Sequence, residues 1–245
     1  MAEPINQITT MRLPDGSEVA FVDWSDTPLW SSADLLAGFT DTEIDLFQYV
    51  SGEPVPKTTN LTVARTSSDN DTNIASPGIM ASTEEMLVYA IKPEIIEQTL
   101  SAQAPTDPNS ASPTAPNMPQ PTGKRLSILQ QRLLLTLEVS QKFTHRAPLT
   151  YYNSGFGAFA PSIFGVPVAG VASAATPGLP SQDAVRALVI PVHIGGQETY
   201  RVRLENVTGS AVPSGLNQNN PAADEPLVMH TVRILLDGLY KRPVA

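Results

Sequence analysis

Between residues 133 and 143 the side chains alternate. Leu133, Leu135, Leu137, Val139 and Phe143 share one parity, and Thr136, Glu138, Ser140 and Lys142 share the other. Successive side chains of a β-strand point to opposite faces, so this period of two describes a strand with one dry and one wet side. Such a strand needs a sheet around it and a second layer over its dry face.

The same pattern returns later in the chain. Residues 185–194 are apolar, with Leu188, Ile190, Val192 and Ile194 in step, and Tyr200, Val202 and Leu204 then alternate with Arg201, Arg203 and Glu205. Gly195-Gly196 lies between these runs and reads as a hairpin turn in which glycine supplies the positive φ angles. Residues 228–236 set His230, Val232, Ile234 and Leu236 on one side, closed by Asp237-Gly238. Shorter β signals occur at 18–24, after the turn Pro14-Asp15-Gly16, and at 44–50 and 61–65. Residues 86–91 follow Ser82-Thr83-Glu84-Glu85, which resembles a capping box. Six apolar residues before Pro93 are short for a helix, so the run reads as a strand, with 94–100 a helical or irregular tail. A short helix is expected at 124–131, with Leu126 and Leu129 on one face.

These elements predict an all-β fold: an antiparallel β-sandwich of jelly-roll type, with long Pro-rich loops and at most short helices. Twenty-three prolines against fifteen glycines fit many short strands and irregular loops. Residues 101–123 hold six prolines and no aromatic. Such a segment cannot bury enough surface to offset its ordering entropy unless it lies along something else, and it reads as an exposed loop or an arm that grips a neighbour. The chain, 245 residues long, is expected to form one sandwich domain over 1–245 with that arm at 101–123, the alternative being two small β subdomains at 1–100 and 124–245.

The absence of cysteine removes disulfides and thiolate chemistry from the fold's resources. A net charge of −9 argues against direct nucleic-acid binding, which calls for a basic patch. The first twenty residues contain Glu3, Asp15 and Glu18 and no long apolar run, so no signal peptide is read, and no stretch is apolar enough for a membrane span.

Sites for chemistry are sparse. His145, His193 and His230 are dispersed, without metal-ligand spacing, and His193 in an apolar strand reads as a hydrogen-bonded core residue. Asp69, Asp71 and Asn73 open like a calcium loop, but Ile74 stands where glycine is needed and Met80 where a glutamate should close the cage. A solvated Asx-rich loop is the reading adopted. No nucleophile elbow, P-loop or dinucleotide fingerprint is present. Glu84-Glu85 and Asp224-Glu225 read as solvated charge, and the glycosylation patterns at Asn60, Asn70 and Asn206 as chance. Neither a catalytic residue, a metal nor a cofactor is expected.

Contact surfaces are better represented. Tyr151 and Tyr152 lead into a glycine-interleaved run with Phe156 and Phe159, which offers area at low side-chain entropy cost. With Trp24, Trp30 and Tyr240 these residues are the interface candidates.

Several of these stretches together resemble bacteriophage virion structural proteins: the opening Leu13-Pro14-Asp15-Gly16, the Pro-rich middle arm, the loop from Ala147-Pro148-Leu149 to Gly157, and the end from Leu236-Asp237-Gly238-Leu239-Tyr240 to Val244. The likeness covers about half the chain and has no diagnostic motif. It implies a non-enzymatic, self-assembling capsid, cement or vertex subunit, made in the host cytoplasm and resident in the virion. Its partners would be copies of itself and other virion proteins. The chain departs from the tailed-phage shell fold in offering no long spine helix. The alternative is a non-catalytic carbohydrate- or receptor-binding sandwich with Trp24, Trp30, Tyr151 and Tyr152 as stacking surfaces. A hydrolase with a site assembled in space ranks last.

Overall fold

The computed structural model describes residues 10–12, 16, 18–20, 24–36, 39–61, 64–99, 129–152, 185–207 and 228–241. Their regular structure is almost entirely β: β1 (Thr10–Arg12), β2 (Glu18–Ala20), β3 (Trp24–Asp26), β4 (Leu29–Leu36), β5 (Glu43–Leu46), β6 (Glu85–Thr99), β7 (Leu133–Val139), β8 (Lys142–Pro148), β9 (Ala187–Ile194), β10 (Tyr200–Asn206) and β11 (Val228–Lys241). A helical turn at 129–132 and a 3-10 turn at Leu149–Tyr151 are the described helical pieces.

β1 and β2 pair as a small ribbon, and the rest form two antiparallel sheets. The first has the order β4-β11-β6-β9, with β3 continuing along the β4 edge of β11, and the second has the order β5-β10-β7-β8. Four pairings reveal how the chain gets there: β4 with β11, β5 with β10, β6 with β9 and β7 with β8. The chain is a long hairpin whose first arm pairs with its second in reverse order, wrapped so that alternate pairs enter alternate sheets. That is the jelly-roll arrangement. Strands from both sides of 101–123 share each sheet.

The core lies between the layers and is built from the dry parities. Leu133, Leu135, Leu137 and Val139 of β7, Val202 and Leu204 of β10, and Val232, Ile234 and Leu236 of β11 all belong to one buried cluster. The alternation that marked these strands in the sequence is therefore the division between core and outer face.

Local departures from the sequence reading have physical causes. The strand expected to run through Phe143 turns back at Ser140 and Gln141, both in the left-handed region with φ of 50° and 64°, so β7 and β8 form a tight hairpin. Gly195-Gly196 does not join a hairpin: β9 belongs to one sheet and β10 to the other, and the positive φ belongs to Gln197. Gly196 is needed for a close approach, since a Cβ there would lie 2.6 Å from the Ser82 carbonyl oxygen. β6 does not stop at Pro93 but continues to Thr99. Its pairing with β9 ends at Ala90, so Pro93 falls on an edge without β9, where a missing N–H is tolerated. β11 likewise passes through Asp237-Gly238 with a bulge and ends at Lys241. Residues 61–65 form no strand among those described.

The β4 edge is sealed by the connection between β5 and β6. The Asp34 N–H donates to the Pro56 carbonyl at 2.8 Å, the Thr58 N–H to the Asp34 carbonyl at 3.1 Å, and the Trp30 N–H to Asn73 Oδ1 at 2.8 Å. Tyr49 completes the seal, its hydroxyl accepting from the Ser32 N–H and donating to the Ser32 carbonyl. Ser31 to Leu36 are all buried in consequence. Pairing this edge internally removes it as a template for other strands.

Candidate interaction surfaces

Three features stand out where the sandwich meets solvent. The first is a bulge in β9. Val88 pairs with Val192 and Ala90 with Ala187, so four residues of β9 face Tyr89 alone. Leu188 turns into the core, whereas Val189 is 91% and Ile190 77% exposed. In sequence Ile190 shares the dry parity of Leu188, Val192 and Ile194; the surplus residues of the bulge break that parity. Tyr89, 39% exposed, lies across from the bulge.

The second feature is an aromatic rim beside β8. His145 Nδ1 lies 2.6 Å from the Tyr152 hydroxyl, and the His145 ring contacts those of both Tyr151 and Tyr152, with centroids 5.8 and 5.4 Å away. Arg186, just before β9, lies over the Tyr151 ring with Cζ 3.9 Å from the centroid, a cation–π contact between the β8 and β9 sides of the sandwich. Burial lowers the His145 pKa and the Arg186 charge lowers it further. Burial also raises the Tyr152 phenol above its ordinary value, with a contribution from Tyr151.

The third feature is the outer face of the second sheet, where the wet parities assemble into a charged ladder. Arg201 Nε contacts Glu138 Oε2 at 2.5 Å, Arg203 reaches Glu43 at 3.2 Å and Asp45 at 3.4 Å, and Arg146 reaches Glu205 at 2.6 Å. Thr136 Oγ1 also donates to Glu205. Two open grooves lie on this face. One of about 770 Å³ sits at the Tyr200 end, beside Gln48, Ile79, Glu138 and Arg201; another of about 420 Å³ sits beside Glu43, Arg146 and Arg203. The carboxylates at both are engaged by arginine: Glu138 by Arg201, Glu43 by Arg203 and Glu205 by Arg146.

The candidates named from sequence are dispersed over the molecule. Trp24 is buried against Leu87 and Leu239, and Tyr240 and Tyr152 are buried in the main core. Trp30 is half-buried, its Nε1 donating to the Asp69 carbonyl at 3.2 Å. Tyr151 is half-buried under Arg186, and Phe156 and Phe159 lie outside the described residues, as does the 101–123 arm. Among the described candidates only Tyr151 and Tyr152 are brought together, their rings edge to face at 5.4 Å. His193 is not a core residue: it is exposed on β9 and lies 3.3 Å from Glu85. The calcium-like loop is tied to the fold instead. Asp71 accepts from the Ser68 N–H and hydroxyl and pairs with Arg65, and Asn73 holds Trp30 and Pro28.

Among the described residues no group of three or more metal-ligating side chains converges, and no helix is long and apolar enough to cross a membrane. Sequence reasoning missed Val189 and Ile190 as surface residues because nothing in an apolar run signals where a bulge will fall. The charged ladder was partly visible as the alternation of Arg201, Arg203 and Glu205. Comparison with protein-family models, curated proteins and solved structures returns no match for this chain.

Proposed function

We propose that this chain is a structural subunit of a virus particle, of the bacteriophage kind its sequence resembles, that assembles with copies of itself and performs no catalytic step. The observation that carries the reading is the β9 bulge, which holds two large apolar side chains in water beside Tyr89. Fully burying such a side chain yields about 1.5–3 kcal/mol, so the pair favours any contact that covers it. The jelly-roll order adds support by analogy, since capsid domains share it, although lectins and cupins do too. Trp24 and Tyr152 turn inward, which removes half of the proposed sugar-stacking surface and weighs against the carbohydrate reading.

Sedimentation of the purified chain over a range of concentrations, with negative-stain imaging of the heaviest species, tests the proposal. Large, regular assemblies are expected, and Val189→Asp combined with Ile190→Asp should abolish them without lowering the melting temperature. A 26.2 kDa monomer at every concentration would refute the assembly reading. Assemblies indifferent to the double substitution would remove the bulge from it.

A further inference from the structure

The second sheet has an even number of strands and edges of opposite sign. β5 hydrogen-bonds to β10 and β8 to β7, so among the described residues each leaves one edge unpaired. On the outer face, β5 presents Glu43 and Asp45, β10 presents Arg201 and Arg203, β7 presents Glu138 and β8 presents Arg146. The signs run acidic, basic, acidic, basic; Glu205 is the exception and turns toward Arg146. Strand direction also alternates, because every pairing is antiparallel. A second copy in the same orientation, with its β5 beside β8, would continue both alternations without interruption. Pairing β8 with its own copy would instead set Arg146 beside Arg146, and pairing β5 with its own copy would crowd Glu43 and Asp45 with their equivalents, which like-charge repulsion disfavours.

The first sheet offers no equivalent continuation. Its β4 edge is covered from within, and β9 is interrupted mid-strand by the four residues that face Tyr89 alone, among them Pro191, which has no N–H to give, whereas β8 has one surplus residue, Thr144, and its proline, Pro148, only at its end. We infer that copies of this chain join head to tail through the second sheet, the β5 edge of one pairing with the β8 edge of the next. This rests on the self-assembly reading above and adds to its apolar contact at the β9 bulge a second, strand-to-strand contact, both being needed for a large assembly. An interface of this kind is heterologous, closing into a ring or running into a filament according to the rotation between copies.

The cysteine-free sequence makes a clean test available. Thr42, immediately before β5, and Pro148, the last residue of β8, are exposed, and continuing the ladder into a second copy sets them about one residue apart along the strands. Within one molecule β5 and β8 are separated by two strands, roughly 14 Å across, so a shorter thiol-reactive linker cannot join them in the same sheet. A mixture of Thr42→Cys and Pro148→Cys chains should cross-link to dimers, a chain carrying both should give a ladder of multimers, and each single variant alone should give neither. Raised salt should weaken the mixed reaction. Single variants that link to themselves as readily as the mixture would overturn the head-to-tail pairing. So would a mixture that fails to link while the unmodified chain sediments as an assembly. If the unmodified chain sediments as a monomer, the assembly reading falls first, and this inference with it.

Discussion

Arg65 is the cation on which the sealed β4 edge depends. Its Nε lies 2.7 Å from Asp34 Oδ2 and its Nη2 lies 3.2 Å from Oδ1 of the same carboxylate, a two-pronged contact, while Nη2 is 2.7 Å from Asp71 Oδ1. The Asp34 side chain is 2% and that of Asp71 7% exposed, against 35% for Arg65. Replacing Arg65 with alanine leaves two buried carboxylates facing each other with no cation. Thr231 still donates to Asp34, and Ser68 to Asp71, so neither is wholly abandoned. Breaking a buried pair by removing one partner costs about 3–5 kcal/mol; because Arg65 is a third exposed and water fills the gap, about 2–3 kcal/mol is expected here. For a chain of this size that is a melting temperature lower by roughly 5–10 °C. Arg65→Lys keeps the charge but loses the planar fork and should fall between the two.

The pH dependence supplies the sharper test. Burial pushes the Asp71 carboxyl up, but hydrogen bonds from Arg65 and from the Ser68 backbone and side chain, with the Arg65 charge, outweigh it and hold the group below its ordinary value. A depressed carboxyl contributes stability above its unfolded value of about 3.9, and that contribution is lost as pH falls through the folded value. In Arg65→Ala the chief restraint is gone and burial dominates, so the variant gains from protonating Asp71 under acid conditions where the parent only loses. The gap in unfolding free energy, measured by urea titration, should be widest at neutral pH and close as pH drops toward about 4. A gap below about 1 kcal/mol, ordinary for an exposed pair, or one indifferent to pH, would refute the reasoning.

Two further perturbations follow from the same structure. Gly238 sits at the β11 bulge, where a Cβ would lie 2.0 Å from the Leu87 carbonyl oxygen, so Gly238→Ala must displace backbone and should cost about 3 kcal/mol or more, at the top of the range for overpacking. A melting temperature unchanged by this substitution would show that the two strands are not so closely apposed. For His145, whose pKa is depressed by burial and then by Arg186, no penalty exists above about pH 6.5, where the ring is neutral folded or unfolded; below it the unfolded chain takes up a proton that the native one resists. Stability should therefore decline through the ordinary histidine range, and His145→Gln should flatten that decline, read as the urea midpoint against pH. An identical slope in parent and variant would rule out the rim as its source.

Much of this fold is written in the alternation of single strands. The dry parities of β7, β10 and β11 are local facts about neighbouring residues, and they define the inner faces directly. Pairing is not local. Nothing in Val185 to Leu204 distinguishes a hairpin from a crossing between sheets, because the choice depends on which distant strands, β6 or β5 and β7, claim each segment. The turn at Ser140-Gln141 was obscured for a related reason: Ser140 continues the wet parity, and although polar Gln141 falls on the dry one, neither is the glycine or asparagine that usually marks a positive φ. The aromatic candidates illustrate the same limit. An aromatic side chain is as suited to a core as to a contact, and Trp24, Tyr152 and Tyr240 went inward because β3, the 3-10 turn and the end of β11 lie over buried neighbours.

The division of labour between the two sheets follows from how each treats its edges. An unpaired edge is a hazard in any β protein, and the first sheet meets it in the usual ways: an internal cover over β4 and, on β9, a bulge with a proline. Those devices are costly. The cover requires burying Asp34 and Asp71 and supplying Arg65 to neutralise them; the bulge leaves Val189 and Ile190 in water. The second sheet, in the same molecule, has among the described residues no internal cover and no proline within its short β5 edge; β8 has one surplus residue at Thr144 and a proline only at its end, Pro148, and the two edges differ in charge. Charge repels a like edge but attracts an opposite one, so on the head-to-tail proposal the residues that disfavour β5 beside β5 would favour β8. On the head-to-tail proposal, blocking one sheet sterically and leaving the other governed by sign restricts strand-to-strand association to one geometry.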